Sequence, residues 1–404
     1  MLKKDVPMEE KSIVDIFISL MKDVNNELES EVIKKLVKEM RPMLRQVETG
    51  KYAKDIKTIL LLPGFRNLFW KMQIYRGGKE FNSRGIHTLR VCLRAMRLAK
   101  RAIKKGKYID LSLVAANALA HDLGHFAFAH VAETEIDALI GYKWRHGQQG
   151  LWKYGFIEEE AISLLVLDGM LCHSEIEQIL FFNPDKNLEV EEQLSSESRI
   201  PARIEVLFVK IADKFGNAID DIDDASRNGV DISEVKSLLK ALGENSEQIF
   251  ASLTKGIEIL EDRLILKKQE YEDFLTLQVF CFGETEKGIP GKIHGDPNLV
   301  RDREEIKSTI SKILKGLAYF IKSKMYLKED LDDLLVKRIV RSYMTEKREK
   351  YERAEEIGLI NINVEKILAK DIFADLTETE AYEVDANLAQ YSHGYKGLQK
   401  ARVA

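Results

Sequence analysis

The sequence contains little cysteine or proline and has no long uninterrupted apolar run. Three cysteines stand far apart among 404 residues, which suits a reducing cytoplasm better than a disulfide framework. No stretch approaches the roughly 18 apolar residues of a membrane-spanning helix. The first twelve residues mix Lys, Asp and Glu with no apolar segment behind them, so we expect no secretory signal. These absences argue against the membrane and secreted classes and favour a cytoplasmic protein.

An excess of basic residues is also missing. Lys and Arg number 62 against 66 Asp and Glu, which argues against a protein whose main task is to coat nucleic acid. A local basic pocket for a small polyphosphate stays compatible with this balance. Apolar residues make up 45% of the chain and charged residues 32%, as in an ordinary globular protein. A chain of this length can bury at least one large hydrophobic core.

The residues that are abundant favour helices. Only 7 prolines interrupt long runs of Leu, Ile, Lys, Glu and Ala, a composition typical of a mostly helical protein. Residues 111–120 are apolar nearly all round, which predicts a helix buried in the core. Residues 89–103 predict a basic amphipathic helix, most simply a solvated or subunit surface, although a nucleotide effector could bind there. We therefore predict an all-α fold.

The chain is expected to divide into three helical parts. We predict an N-terminal helical arm over residues 1–60, a core over 61–230 and a C-terminal helical lobe over 231–404. Residues 183–201 are rich in Ser, Glu and Asn, and residues 282–298 contain four Gly and two Pro. Both segments are predicted to be loops because such residues favour turns over regular structure.

Histidine clustering is the strongest chemical signal in the sequence. Five of the 8 histidines lie between residues 87 and 146. The pair His121-Asp122 follows directly on the predicted buried helix, so an imidazole and a carboxylate reach the same point. Together these groups suit Mn²⁺, Fe²⁺, Zn²⁺ or Mg²⁺ and leave the metal undecided. An isolated His-Asp pair more often only satisfies its own hydrogen bonds.

Two further residues extend this pair to a complete pattern. His87 stands 34 residues before His121, and Asp213 follows an apolar helical segment. The order His87, His121-Asp122, Asp213 resembles the H…HD…D signature of the HD superfamily of metal-dependent phosphohydrolases. The resemblance implies that these four residues bind a divalent metal, with Mn²⁺, Mg²⁺ and Fe²⁺ as the candidates.

The resemblance narrows to one family within the superfamily. Residues 121–133, HDLGHFAFAHVAE, are similar to the HDLGH-x-x-F-x-H-x-x-E/D segment of the deoxynucleoside triphosphate triphosphohydrolases. Residues 144–148 resemble that family's W-x-H-x-Q element. Further matches are Phe65-Arg66, Gln73 and the run from Asp213-Lys214 to Asp221. All of these motifs lie between residues 64 and 221.

This family parallel implies roles for single residues. His146 would be the catalytic histidine near the scissile bond, Glu133 its carboxylate partner, and His125 a neighbour of the α-phosphate. His130 shares a helical face with Glu133, so a structural hydrogen bond is favoured for it over catalysis. The implied substrate contacts are Arg84 and Lys214 for the triphosphate and Gln73 for the nucleoside. Asn217 and Asp221 are also expected among the substrate-binding residues.

One position departs from the family. Four residues after the last metal-binding Asp the family has a Tyr whose ring lies against the sugar, and this sequence has Asn217. Asn is smaller and offers both a donor and an acceptor to a 2′-hydroxyl. We therefore expect weaker selectivity for deoxyribose.

The sequence thus predicts hydrolysis of (deoxy)nucleoside triphosphates to nucleoside and inorganic triphosphate, with control of nucleotide pools. A homo-oligomer is expected by family analogy. Two alternatives stay open. One is an HD phosphohydrolase or phosphodiesterase that acts on a nucleoside monophosphate, a cyclic dinucleotide or an alarmone. The other is a catalytically idle nucleotide sensor or single-stranded nucleic-acid binder.

Overall fold

The structure, a computed structural model, describes residues 11–28, 31–72, 82–104, 106–158, 161–173, 203–236, 281, 303–324, 347–356, 364–386 and 388. The fold is all-α, as the sequence predicts. Within the described residues the only extended pairing is a single antiparallel bridge between Met72 and Ser83. None of the described helices is both long and apolar enough to cross a bilayer.

Fourteen helices follow one another along the described segments. They are α1 (Ile13–Leu28), α2 (Glu31–Leu44), α3 (Ala53–Leu61), α4 (Pro63–Asn67), α5 (Arg84–Lys104), α6 (Leu111–Ala120), α7 (Ala129–Ile140), α8 (His146–Gly150), α9 (Leu164–Cys172), α10 (Glu205–Arg227), α11 (Arg303–Lys324), α12 (Arg348–Glu356), α13 (Val364–Asp375) and α14 (residues 378–386). A π-helix over Leu151–Ile157 continues α8 directly.

Helix α6 is the centre of the core, and it begins and ends where the apolar pattern predicts. Its first turn is capped by Asp110, whose carboxylate accepts hydrogen bonds from the backbone N–H groups of Ser112 and Leu113. Every residue from Ser112 to Ala120 is buried, because α3, α5, α9 and α10 all pack around it. An N-cap of this kind stabilises a helix by about 1 kcal/mol.

The N-terminal helices share one hydrophobic cluster with this core. Phe17 of α1, Leu44 of α2 and Phe65 of α4 belong to the same cluster as Leu119 and Phe215. Burying each such side chain is worth roughly 1.5–3 kcal/mol, so these helices stabilise the core on which they lie. The predicted domain boundaries at residues 60 and 230 stay predictions.

A second hydrophobic cluster joins the C-terminal helices to the segment between α6 and α9. Ile313 of α11 and Phe373 of α13 pack in it with Phe126, Trp144 and Trp152. Buried polar contacts cross the same boundary: the carboxylate of Asp371 in α13 accepts hydrogen bonds from Gln149 Nε2 at 2.9 Å and Trp152 Nε1 at 2.8 Å. The C-terminal helices therefore rest directly on the turns that carry the clustered histidines.

The predicted basic helix is present in the structure, but two of its arginines do not face solvent. The predicted basic helix forms as part of α5, but Arg90 and Arg94 are turned inwards and pair with Asp220 of α10, at 2.8 and 3.3 Å. Their charges neutralise a buried carboxylate, so the expectation of a solvated face is wrong at these two positions. The predicted loops at residues 183–201 and 282–298 lie outside the described residues.

Candidate metal centre and active site

Three packed helices bring the four predicted metal ligands together. His87 lies in the first turn of α5, His121 and Asp122 follow the last residue of α6, and Asp213 lies on α10. His87 Nε2 is 2.9 Å from Asp213 Oδ1. His121 Nε2 is 3.8 Å from that oxygen and 3.5 Å from Asp122 Oδ2. All four side chains are buried.

Hydrogen bonds to the far side of each imidazole fix which ring nitrogen faces the cluster. His121 Nδ1 lies 2.8 Å from the carbonyl oxygen of Ala118, and a carbonyl only accepts, so Nδ1 carries the proton. His121 Nε2 is then a buried lone pair, and it has no hydrogen-bond partner among the described residues. A buried acceptor without a hydrogen bond lowers the stability of the folded protein. A divalent cation would satisfy it, so these residues fit a metal site.

Asp220 holds His87 in the same way. Its Oδ2 atom is 3.0 Å from His87 Nδ1, the arrangement by which a carboxylate commonly orients a metal-binding histidine. Burial alone would lower the pKa of His87, but its hydrogen bonds to Asp213 and Asp220 outweigh this and raise it to about 9. In the absence of a cation the site therefore holds a proton, and metal binding would displace it.

Sequence reasoning missed Asp220. It lies seven residues after Asp213 on α10, two turns along the same helical face, and that spacing is the signal that could have revealed it. Its ion pairs with Arg90 and Arg94 outweigh the effect of burial and hold its pKa well below the usual range. Asp220 is therefore an ionised acceptor beneath His87.

His146 and Glu133, the predicted catalytic pair, are in direct contact. His146 Nδ1 is 2.8 Å from Glu133 Oε1, and the backbone N–H of His146 donates to the same oxygen at 3.0 Å. His130 Nδ1 contacts the other carboxylate oxygen at 3.1 Å. These hydrogen bonds outweigh burial and hold the pKa of Glu133 below its usual range. Glu133 thus orients His146 with Nε2 turned away from the carboxylate.

His173 is the partner that His146 Nε2 meets, at 2.9 Å from His173 Nε2. No role was predicted for His173 from the sequence. Its Nδ1 atom lies 2.7 Å from the carbonyl oxygen of Met170 and must donate to it. Because both Nδ1 atoms donate elsewhere, the contact requires a second proton on one ring or a cation between the rings. The ligating atoms of Asp122, His146 and His173 lie within 4.8 Å of one another.

His125 stacks on His146, with ring centroids 4.2 Å apart and an angle of 12° between the planes. Burial and the nearby charge of Arg84 hold the pKa of His125 well below its usual value, so the ring is neutral. The close approach depends on Gly124, because a Cβ there would stand 2.0 Å from the carbonyl oxygen of His146.

Four of the five predicted substrate-binding residues lie within the described part of the structure. Arg84 is buried with its NH1 atom 3.4 Å from Asp122 Oδ2, and Asn217 Nδ2 donates to Asp213 Oδ1 at 3.1 Å. Lys214 is partly buried beside Asp213 and its charge helps to lower the pKa of that carboxyl, where burial acts the other way. Asp221 is buried about 100° further round α10 than Asp220. Gln73 lies outside the described residues.

Comparison with known proteins agrees with this geometry. The family model described as HD domain matches residues 84–218, which include all four predicted metal ligands. The chain is 28% identical over 244 residues to a deoxyguanosinetriphosphate triphosphohydrolase-like protein of Clostridium perfringens strain SM101, covering 56% of this chain and 65% of that protein. It is 26% identical over 273 residues to the protein of that name from Caldanaerobacter subterraneus subsp. tengcongensis, covering 65% and 70%.

The chain thus spans just under two thirds of the length of the Clostridium perfringens relative. The matched region contains His87, His121, Asp122 and Asp213, which the structure brings close together. The chain therefore contains an HD domain at residues 84–218 and is related to the deoxyguanosinetriphosphate triphosphohydrolase-like proteins.

Proposed function

We propose that the protein hydrolyses (deoxy)nucleoside triphosphates to nucleoside and inorganic triphosphate and thereby controls nucleotide pools. The observation that carries the proposal is the meeting of the ligand set with an oriented His146–Glu133 pair in one buried cluster. The relatives are named as deoxyguanosinetriphosphate triphosphohydrolase-like proteins, which supports a deoxynucleoside triphosphate as substrate.

The metal is proposed to bind to His87, His121, Asp122 and Asp213. When bound, a divalent ion such as Mn²⁺, Mg²⁺ or Fe²⁺ polarises a phosphoryl oxygen and lowers the pKa of a coordinated water. Asp220 and the carbonyl of Ala118 hold the two imidazoles so that their Nε2 atoms face Asp213. The protein thus supplies a largely preformed donor set.

Arg84 and Lys214 are proposed to neutralise the triphosphate. The guanidinium of Arg84 stands at the edge of the ligand set, 3.4 Å from Asp122, and a guanidinium can hold two phosphate oxygens at once. Lys214 lies one residue after Asp213, so its ammonium reaches the same region as a single positive charge. Charge held in place before the reaction is the largest contribution to catalysis of phosphoryl transfer.

His146 is proposed to protonate the leaving group. Water attacks the α-phosphorus and releases one proton to the solvent. The bond from that phosphorus to the 5′-oxygen breaks, and the oxygen leaves with a proton that His146 supplies and later regains from the solvent. Glu133 keeps the His146 ring oriented through its hydrogen bond with Nδ1. The neutral ring of His125, stacked on His146, is proposed to contact the α-phosphate.

Product analysis tests the proposal directly. The purified protein is incubated with each dNTP and NTP in the presence of Mn²⁺ or Mg²⁺, and the products are separated by ion-exchange chromatography. We expect nucleoside and inorganic triphosphate in equal amounts. Orthophosphate with a nucleoside diphosphate would contradict the proposed cleavage site. The variant Asp213→Ala serves as the control for contaminating phosphatases.

A second candidate function is hydrolysis of another phosphoester, such as a nucleoside monophosphate or a cyclic dinucleotide. The grouping of Asp122, His146 and His173 favours it, because two neighbouring metal ions are common in phosphoesterases. Two Mn²⁺ ions per chain by elemental analysis, together with turnover of these substrates but of no triphosphate, would support this alternative. Light scattering of the same preparation tests the proposed homo-oligomer.

A further inference from the structure

The turn between His125 and His130 has an unusual backbone. Phe128 and Ala129 have φ angles of 62° and 52°, and glycines are the only other described residues with positive φ. Side chains larger than hydrogen crowd the backbone in this conformation, so it persists only where the surroundings impose it. The two strained residues separate His125, which stacks on His146, from His130, which contacts Glu133.

Glu378 and Lys71 supply contacts that hold this turn at both ends. Glu378 Oε1 accepts a hydrogen bond from the backbone N–H of Phe128 at 2.9 Å and another from that of Met72 at 3.2 Å. The Lys71 ammonium donates to the carbonyl oxygens of His125 at 2.6 Å and Ala374 at 2.7 Å. Both side chains are buried, with 5% of Glu378 and 3% of Lys71 exposed.

Apolar contacts from the same C-terminal segment reinforce these hydrogen bonds. The ring of Phe128 meets the ring of Tyr382 edge to face at 5.4 Å and lies 6.5 Å from that of Phe373. The strained turn is therefore contacted by polar and apolar side chains of one C-terminal segment, namely Phe373, Glu378 and Tyr382. All of them lie outside the matched HD domain at residues 84–218.

We propose that Glu378 and Lys71 are positioning residues of the active site. They hold the backbone of residues 125–130 in its strained form, and this form sets the His125 stack on His146 and the His130 contact with Glu133. The kinetic part of this inference rests on the proposed function. The structural part does not, since it concerns the conformation of the turn in the free protein.

Two variants of Glu378 separate loss of the hydrogen bonds from loss of the charge. Glu378→Ala removes the acceptor, whereas Glu378→Gln keeps an amide oxygen for the N–H groups of Phe128 and Met72. We expect amide hydrogen exchange in residues 125–133 of the full chain, without nucleotide, to accelerate in Glu378→Ala and to stay near the native rate in Glu378→Gln. For triphosphate hydrolysis, kcat should fall by about 10²-fold in Glu378→Ala, with a smaller change in KM.

A glycine inside the turn provides a rescue that a merely structural role would not show. Glycine adopts positive φ at little steric cost. Adding Ala129→Gly to Glu378→Ala should therefore raise kcat about tenfold above that of Glu378→Ala alone. Asp375→Ala is the matched control, because it breaks an ion pair between the same C-terminal segment and Lys153 without touching the turn. It should lower the melting temperature but leave exchange in residues 125–133 and kcat unchanged.

Three results would overturn the inference. They are native exchange rates in Glu378→Ala, equal acceleration in Asp375→Ala, and a double variant no more active than Glu378→Ala. Hydrolysis that fails already in the native protein contradicts the proposed function, whereas the exchange experiment on the free protein still decides the inference by itself.

Discussion

Replacing Asp220 by asparagine should weaken metal binding, although Asp220 is not one of the four predicted ligands. Its carboxylate joins His87 Nδ1 at 3.0 Å to Arg90 at 2.8 Å and Arg94 at 3.3 Å. Asparagine keeps the size of the side chain and one acceptor oxygen but removes the charge. His87 then loses a strong acceptor, and two partly buried arginines lose the carboxylate that neutralises them.

The structure sets the size of both effects. Loss of a carboxylate that orients a metal-binding histidine typically costs 10- to 100-fold in metal affinity. Breaking a buried ion pair by removing one partner costs about 3–5 kcal/mol of stability, and the oxygen that asparagine retains should reduce this to roughly 2–3 kcal/mol. Since the pKa of Asp220 is depressed, its stabilisation is present above about pH 4 and is lost as the pH falls further.

Calorimetric titration with Mn²⁺ and urea unfolding at pH 7 measure the two effects. Asp221→Asn is the matched control, because Asp221 is buried on the same helix beside Asp220 and was predicted to bind the substrate. We expect that variant to bind Mn²⁺ normally and to show a raised KM. Native Mn²⁺ affinity in Asp220→Asn, or equal loss in both variants, would refute the assignment of Asp220 as the residue that orients His87.

Three further predictions concern catalysis, specificity and pH. His146→Ala should lower kcat by about 10²-fold with little change in KM, and steady-state kinetics with a near-native kcat would return His146 to a structural role. Asn217→Tyr should raise the ratio of kcat/KM for each dNTP over its NTP about tenfold; a native enzyme that already excludes ribonucleotides, with no change in the variant, would contradict this. Burial raises the pKa of Asp224 to about 8, so the folded protein keeps a proton there that the unfolded chain loses near pH 4. This group alone should lower the free energy of unfolding by about 1.4 kcal/mol per pH unit between about pH 4 and pH 8. Asp224→Asn should remove that slope in urea titrations at pH 5 and pH 8, and an unchanged slope would refute it.

The sequence predicted those parts of the fold that depend on local patterns. The limits of α6 could be predicted because a largely apolar run of ten residues is a local signal. The inward turn of Arg90 and Arg94 could not, because nothing in α5 itself indicates that Asp220 of a distant helix lies against it. Charged residues that share one face of a helix indicate a solvent-exposed face unless a buried residue of opposite charge is known to lie against them.

The same division holds for the site. His87, His121-Asp122 and Asp213 could be recognised from their order, and the contact of His146 with Glu133 agrees with the family pattern. His173 was left without a role, although it directly follows the apolar helix α9, just as His121 follows α6. The roles of Glu378 and Lys71 could not be predicted from the sequence, because their contacts with the turn at residues 125–130 join distant parts of the chain. Phe128 and Glu378, for example, are 250 positions apart.

That separation of 250 residues has a consequence for biosynthesis. Ribosomes add about 5–20 residues per second, so Phe128 leaves the ribosome roughly 12–50 s before Glu378 does. During that interval the apolar surface around Trp144 and Trp152 lacks the helix α13 that later covers it. The nascent chain therefore passes through a stage with exposed aromatic rings beside an unfinished histidine turn, and at this stage it should depend most on chaperones.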